Sequence, residues 1–310
     1  MRCDAPGRKW MVIMRVFVTG ATGWIGSAAV DELLAAGHGV VGLARSDTSA
    51  ATLEAKGATP LPGGLDDLDV LRRGASEADA VVHLANKHDW GNPAESDRAE
   101  RAAVETMAEV LTGTHKPFVV ANGLSGIVEG RAALETDSSP DVGPGASRGG
   151  SENLALDYTR RGVNSVIVRF APSVHGAGDW GFVAFLAKAA RDRGVSGYIG
   201  DGSVEWSAVH RLDAARLIRL GVERAPAGTR LHAVAEESVT TRAIAEALGE
   251  ALGLPVASIA PEDAAEHFGF VGGFFATPMA ASSARTRELL DWKPTGPTLV
   301  EDILDGAYGG

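Results

Sequence analysis

The sequence predicts an α/β fold: a doubly wound parallel sheet with a smaller lobe in the C-terminal half. Three observations carry this. Apolar runs without polar alternation recur along the chain, as strands buried on both faces require. Amphipathic stretches of helical length separate them, the order expected when helices cover both faces of a sheet. The first apolar run, Val12–Val18, leads into Thr19-Gly20-Ala21-Thr22-Gly23-Trp24-Ile25-Gly26 and then a helical pattern, Ser27–Ala36: strand, glycine turn, helix.

Taken in order, strand-like runs fall at Val16–Thr19, Val40–Ala44, Ala80–Leu84, Phe118–Ala121, Ser165–Phe170 and Leu231–Val234. Helical stretches lie near Ser27–Ala36, Thr48–Lys56, Asp69–Arg73, Arg98–Leu111, Arg148–Arg161 and Arg211–Glu223. Gly37 and Gly162 are placed to end helices in the left-handed conformation. Val128–Gly150, rich in Gly, Pro, Ser and Asp, reads as a long loop, either functional or a solvated connector. Beyond Phe170 the alternation loosens, and Trp180–Arg193, Thr241–Leu252, Pro261–Phe268 and Ser283–Leu290 read as helices of the lobe. The expected division is a sheet domain over 14–170, completed by about 206–235, and a lobe made from 171–205 and 236–310. Residues 1–13 match nothing that follows. They read as a disordered extension or an upstream start before Met14. The basic residues there precede an apolar run that is the first strand itself, so a cleaved signal peptide is not expected.

A net charge of −11 argues against nucleic acid or an anionic membrane surface as the main partner. Cys3 is the single cysteine, which leaves no disulfide framework and no Cys-based zinc site and fits the cytoplasm. No histidine and carboxylate spacing resembles a closed metal site, and no run approaches transmembrane length. The expected partner is a small molecule.

Each glycine of the turn has its own task. Gly20 permits the tight turn, Gly23 lets a pyrophosphate approach the backbone, and Gly26 lets the helix pack on the strand. Phosphates would rest on free N–H groups at the helix start, which makes this a dinucleotide site. At the end of the second strand Arg45 and Ser46 stand where a carboxylate would bond the ribose hydroxyls of NAD. A guanidinium pairs with a 2′-phosphate, so NADP(H) is favoured over NAD(H). Arg45 stacking on adenine or facing solvent is the alternative, and Asp47 lies nearby.

Further motifs follow in order: Gly64-Leu65-Asp66-Asp67; His83-Leu84-Ala85-Asn86; Arg169-Phe170-Ala171-Pro172-Ser173-Val174-His175-Gly176-Ala177-Gly178-Asp179; Val209-His210-Arg211-Leu212-Asp213; and Leu290-Asp291-Trp292-Lys293-Pro294. With these the chain resembles, over residues 14–305, the extended and atypical short-chain dehydrogenase/reductase superfamily, the NAD-dependent epimerase/dehydratase-like group. The resemblance implies a Rossmann-like sheet and a substrate lobe. It places the adenine near Leu65. Leu84, Ala85 and Asn86 would line the cofactor, with Thr22, Trp24 and Ile25 in the phosphate turn. Pro172, Ser173 and Val174 would approach the nicotinamide amide through backbone groups. Helices near Arg98–Leu111 and Arg148–Arg161 could form a four-helix homodimer interface.

The superfamily's Tyr-x-x-x-Lys pair is absent. Aligning on Glu152 puts Arg148 in the Lys place and Pro144 in the Tyr place. Arg148 could hold the nicotinamide ribose, or simply form an ion pair at a helix start; it cannot exchange protons near neutral pH. Ser125 and Asn122 follow the fifth strand and could polarise a carbonyl oxygen, although Ser125 could equally be a turn hydroxyl. His88, in the loop beyond the fourth strand, is the candidate proton donor, or else an exposed loop histidine. His175 could contact substrate or structure its loop, and His83 and His210 read as structural. Trp180, Phe182 and Phe185 could form an apolar pocket wall. The expected function is an NADP(H)-dependent oxidoreductase acting on a carbonyl or alcohol of a small, mostly hydrophobic substrate. An epimerase or dehydratase, and a non-catalytic sensor or scaffold, are the alternatives.

Overall fold

A computed structural model of the chain describes residues 13–89 and 91–309; the expectation for the first twelve residues lies outside them. The first half alternates β1 (Arg15–Thr19), α1 (Trp24–Ala35), β2 (Gly39–Ala44), α2 (Asp47–Lys56), β3 (Thr59–Pro62), α3 (Leu68–Glu77), β4 (Ala80–His83), α4 (Pro93–Leu111), β5 (Pro117–Gly123), α5 (Ser151–Asp157) and β6 (Asn164–Phe170). Then come β7 (Ser173–His175), α6 (Phe182–Arg193), β8 (Ser196–Ile199), β9 (Glu205–His210), α7 (Arg211–Arg224), β10 (Thr229–Ala233), β11 (Glu236–Thr240) and α8 (Thr241–Leu252). The chain closes with β12 (Val256–Ile259), α9 (Ala264–Phe268), α10 (Val271–Phe275), α11 (Ala284–Leu290) and α12 (Leu299–Leu304).

Seven strands form one parallel sheet in the order β10-β6-β5-β4-β1-β2-β3. The order reverses between β1 and β4, and ligands of such sheets bind outside the strand ends at that switch point. β3, for which the sequence offered no bounds, is an edge strand. Pro60 and Pro62 suit that place, since proline donates nothing to a further strand. The five inner strands each feed two cores. Val16, Val18, Val82 and Val119 face Leu33, Leu53 and Leu217 from α1, α2 and α7. Phe17, Val81 and Phe118 face Leu71, Met107 and Leu111 from α3 and α4 on the other side. This is why the strands read as continuous apolar runs.

The remaining strands make two small sheets, β11-β9-β7 and β12-β8. They surround a third core with Trp206, Leu248, Phe268, Phe275 and Ile303. The lobe helix expected from Trp180 starts two residues later, with Gly181 as its N-cap. Residues 128–150 are mostly irregular, tied down by an isolated bridge between Ala133 and Ala281.

Candidate active site

The glycine turn is built as expected. Gly20 has φ +66°, and a Cβ there would lie 2.8 Å from the Ala85 nitrogen, so the exit of β4 passes directly over the turn. A Cβ on Gly26 would lie 2.0 Å from the Gly20 carbonyl oxygen; the first turn of α1 rests on the glycine turn itself. Gly23 is the N-cap, no side chain caps the helix, and no acidic residue lies in its first turn. α1 therefore offers backbone N–H groups and its positive end with no anion of its own, which fits a dinucleotide phosphate. Thr22 is exposed here and Ile25 half-buried. Arg45 and Ser46 are exposed at the end of β2. The Ser46 hydroxyl also caps α2, accepting from the Ser49 nitrogen at 3.2 Å. Leu65 is half-buried against the second core.

At the ends of β1 and β4 a buried polar chain begins. The Thr19 hydroxyl oxygen accepts the Leu84 and Ala85 N–H groups at 3.2 and 3.3 Å. With both lone pairs used, its proton goes to His83 Nδ1 at 2.7 Å. His83 thus carries its proton on Nε2, which faces Glu100 at 3.6 Å. Glu100, on α4 and fully buried, is the hub. Its Oε1 accepts from Arg148 Nη2 at 2.8 Å and its Oε2 from Asn86 Nδ2 at 3.2 Å. Asn86 passes the constraint on, its Oδ1 accepting the His88 N–H at 2.8 Å. Burial pushes the Glu100 carboxyl up, but the Arg148 charge and His83 outweigh it and hold the group at about 2.

His88 and Arg148 both have positive φ, 49° and 51°, among four such non-glycine residues described. Strained backbone of this kind gathers at functional sites, and here two cases share one cluster. His88 is an exposed residue. Even so, burial and then the Arg148 charge push its imidazole below 6.5, against the pull of Glu100.

The helix expected from Arg148 does not start there. Arg148, Gly149 and Gly150 are left-handed, with φ of 51°, 61° and 65°, and α5 begins only at Ser151. Two glycines make this turn sterically possible. It is pinned by Arg148 N–H to Asp97 Oδ1 at 2.7 Å and Arg101 Nη1 to the Gly149 oxygen at 2.8 Å. Beyond Asp157 the helix tightens into a short 3-10 segment, Tyr158–Arg161.

Asn122 turns away from the cleft. Its Nδ2 donates to Glu152 Oε2 at 2.7 Å, and its Oδ1 accepts the Gly123 N–H at 2.8 Å, so both ends of the amide are engaged. Glu152 in turn binds Arg169 and Arg230 in a buried ion cluster joining α5, β6 and β10. Asn122 thereby ties the end of β5 to this cluster. Ser125 is exposed in the loop after β5.

Across the cleft, Trp24 Nε1 donates to the Val174 oxygen at 2.6 Å, joining the glycine turn to β7. Pro172 is half-buried and Ser173 buried beside it. His175 is fully buried and bonds Asp302 of α12 through Nδ1, which ties its loop to that helix. His210 N-caps α7. Phe182 stacks on Phe274 with centroids 4.8 Å apart, whereas Trp180 and Phe185 remain 59% and 40% exposed. A separate cavity of about 800 Å³ runs along edge strand β10, lined by Glu135, Arg230 and Arg285. It holds none of the expected site residues.

Glu100 escaped the sequence reading, yet a signal was present. Ser96, Ala99, Ala103, Val104, Met107 and Leu111 form the buried stripe of α4, and Glu100 lies on that stripe. A carboxylate on an apolar helix face demands a buried partner.

Residues 16–233 match the model of the NAD dependent epimerase/dehydratase family. The chain belongs to this family. An uncharacterised protein of Schizosaccharomyces pombe is 43% identical over 295 residues, covering 95% of this chain and 100% of that one. The 4-hydroxy-2-methyl-3-oxo-4-farnesyl-3,4-dihydroquinoline-1-oxide ketoreductase of Stigmatella aurantiaca is 29% identical, over 69% of this chain and 66% of that one. In fold, the UDP-glucose 4-epimerase of Thermotoga maritima superposes with a TM-score of 0.74 at 20% identity, over 96% of this chain and 98% of that one. Among the described residues no helix is long and apolar enough to cross a membrane, and no group of side chains could hold a metal ion.

Proposed function

We propose that the protein is an NADP(H)-dependent oxidoreductase interconverting a carbonyl and an alcohol in a small, mostly hydrophobic molecule. One observation carries the reading. A single buried carboxylate, Glu100, holds Arg148 and, through Asn86, the His88 loop at the strand ends beside the glycine turn. A nicotinamide bound there supplies or accepts hydride. His88 gives a proton to the substrate oxygen as that oxygen gains charge, and takes it back in the reverse direction. Arg148 keeps its charge throughout, steadying a ribose hydroxyl and the developing oxyanion. Ser125 hydrogen-bonds the carbonyl oxygen. The guanidinium of Arg45 supports the choice of NADP(H), since it attracts a 2′-phosphate. The exposed rings of Trp180 and Phe185 support an apolar substrate, as does the farnesylated ketone named for the Stigmatella relative.

The test is a fluorescence titration of cofactor-free protein with NADPH and with NADH, followed by a carbonyl screen read as NADPH consumption. Tighter NADPH binding and turnover that His88→Gln suppresses are the expected results. NADPH binding without turnover of any carbonyl would overturn the enzymatic reading in favour of a dinucleotide sensor.

A further inference from the structure

Arg211 is the first residue of α7, directly after its N-cap His210. Its guanidinium carbon stands 4.3 Å over the ring of Trp24, the first residue of α1. A fixed positive charge therefore sits at the positive ends of two helices, a placement that helix dipoles oppose. The acids in the first turn of its own helix and in α12 are committed elsewhere. Asp213 accepts from Arg216 at 2.8 Å and from the Thr295 and Gly296 nitrogens, and Asp302 is bonded to His175. Among the described residues Arg211 forms no ion pair, and its contact is the Trp24 ring, in a chain whose net charge is −11. The platform itself is rigid, because the Trp24 indole N–H is anchored on the Val174 oxygen at 2.6 Å.

We infer that Arg211 is an anion-binding residue of the cleft, held on Trp24 to grip the diphosphate of the bound dinucleotide from the side opposite the glycine turn. The inference rests on the reading of the cleft as a dinucleotide site. An anion there offsets three positive sources at once: the uncapped N-terminus of α1, the start of α7 and the guanidinium. A cation stacked on an aromatic ring keeps its N–H edge free to donate, so stacking and phosphate binding are compatible.

The experiment measures dissociation constants of NADPH, NADP⁺, inorganic pyrophosphate and adenosine by calorimetry, for wild type, Arg211→Gln and Arg211→Lys, at low and high salt. Thermal midpoints of the ligand-free proteins accompany them. Arg211→Gln should weaken NADPH, NADP⁺ and pyrophosphate by about tenfold to a hundredfold, the value of a charge-assisted hydrogen bond. Adenosine binding should not change, and the loss should shrink as salt rises. Arg211→Lys should fall between the two. The ligand-free Arg211→Gln protein should melt within a degree or two of wild type, because the charge removed has no ion-pair partner among the described residues and loses only its stacking on Trp24. If Arg211→Gln binds NADPH and pyrophosphate as wild type does, the inference is overturned. If only the KM of a carbonyl substrate then rises, the anion belongs to the substrate, and the diphosphate assignment falls. Should wild type bind no dinucleotide at all, the reading of the cleft falls with it.

Discussion

Replacing Glu100 by Gln keeps the shape of the hub and removes its charge. Two independent lines give the cost. The carboxyl is held at about 2 in the fold against an ordinary 4.5. That difference corresponds to about 3 kcal/mol of stability at neutral pH. Breaking a buried ion pair by removing one partner costs roughly 3–5 kcal/mol, because the other charge is left without compensation. The Arg148 side chain retains 25% exposure, which places the cost at the low end. We expect Glu100→Gln to lose about 3 kcal/mol in urea unfolding, a fall in melting temperature of roughly 5 °C for a chain of this length. Since the folded-state value is depressed, this stabilisation is present above about pH 4.5 and is lost as pH falls towards 2. The gap between wild type and variant should therefore close below about pH 4.5. Changing Arg148 to Met in the Glu100→Gln background should restore much of the loss, because no buried charge is then left alone. A loss under about 1 kcal/mol, or one that does not narrow on acidification, would refute the account of Glu100 as the anion that holds the cluster.

Three further outcomes follow from the same geometry. Gly26→Ala forces a Cβ to within 2.0 Å of the Gly20 oxygen, backbone against backbone, so it should abolish NADPH binding and lower the melting temperature; a variant that binds normally would mean that α1 can move off the turn. Arg45→Asp should weaken NADPH by roughly tenfold or more while sparing or improving NADH, measured by fluorescence titration, since an ionised 2′-phosphate then meets a like charge. The carbonyl-reducing activity requires protonated His88, whose imidazole lies below 6.5, so kcat/KM should be highest in acid and fall as pH rises through that value. His88→Gln should remove this limb and cost about 10²–10⁴-fold in rate, and a variant that retains it would show that another group carries the proton.

The sequence reached far where the cause is local. The apolar character of a strand is written in each run separately, so the β1, β2, β4, β5, β6 and β10 runs were legible, as was the glycine turn, whose spacing lies within eight residues. The absence of Tyr-x-x-x-Lys, and a guanidinium at the end of β2, were equally plain. Where the reading failed, distant parts of the chain decide the outcome. The helix expected from Arg148 gives way to a left-handed turn because Asp97 and Arg101 bind its backbone, and glycine at 149 and 150 allows either conformation. The bond from the Asn122 amide to Glu152, thirty residues on, was equally out of reach of the sequence.

By itself the sequence determined the parallel sheet, the glycine turn between β1 and α1 and the absence of a Tyr-x-x-x-Lys pair, because each depends on residues that are neighbours in the chain. Only the tertiary structure decided that Glu100 would join Arg148, Asn86 and His83, and that Arg211 would stack on Trp24. Those meetings bring together side chains separated by as many as 187 positions. Nothing in a local period encodes which buried charge will find which partner; the burial of α4 and α7 against the sheet settles it, by leaving each charge only one place to be compensated.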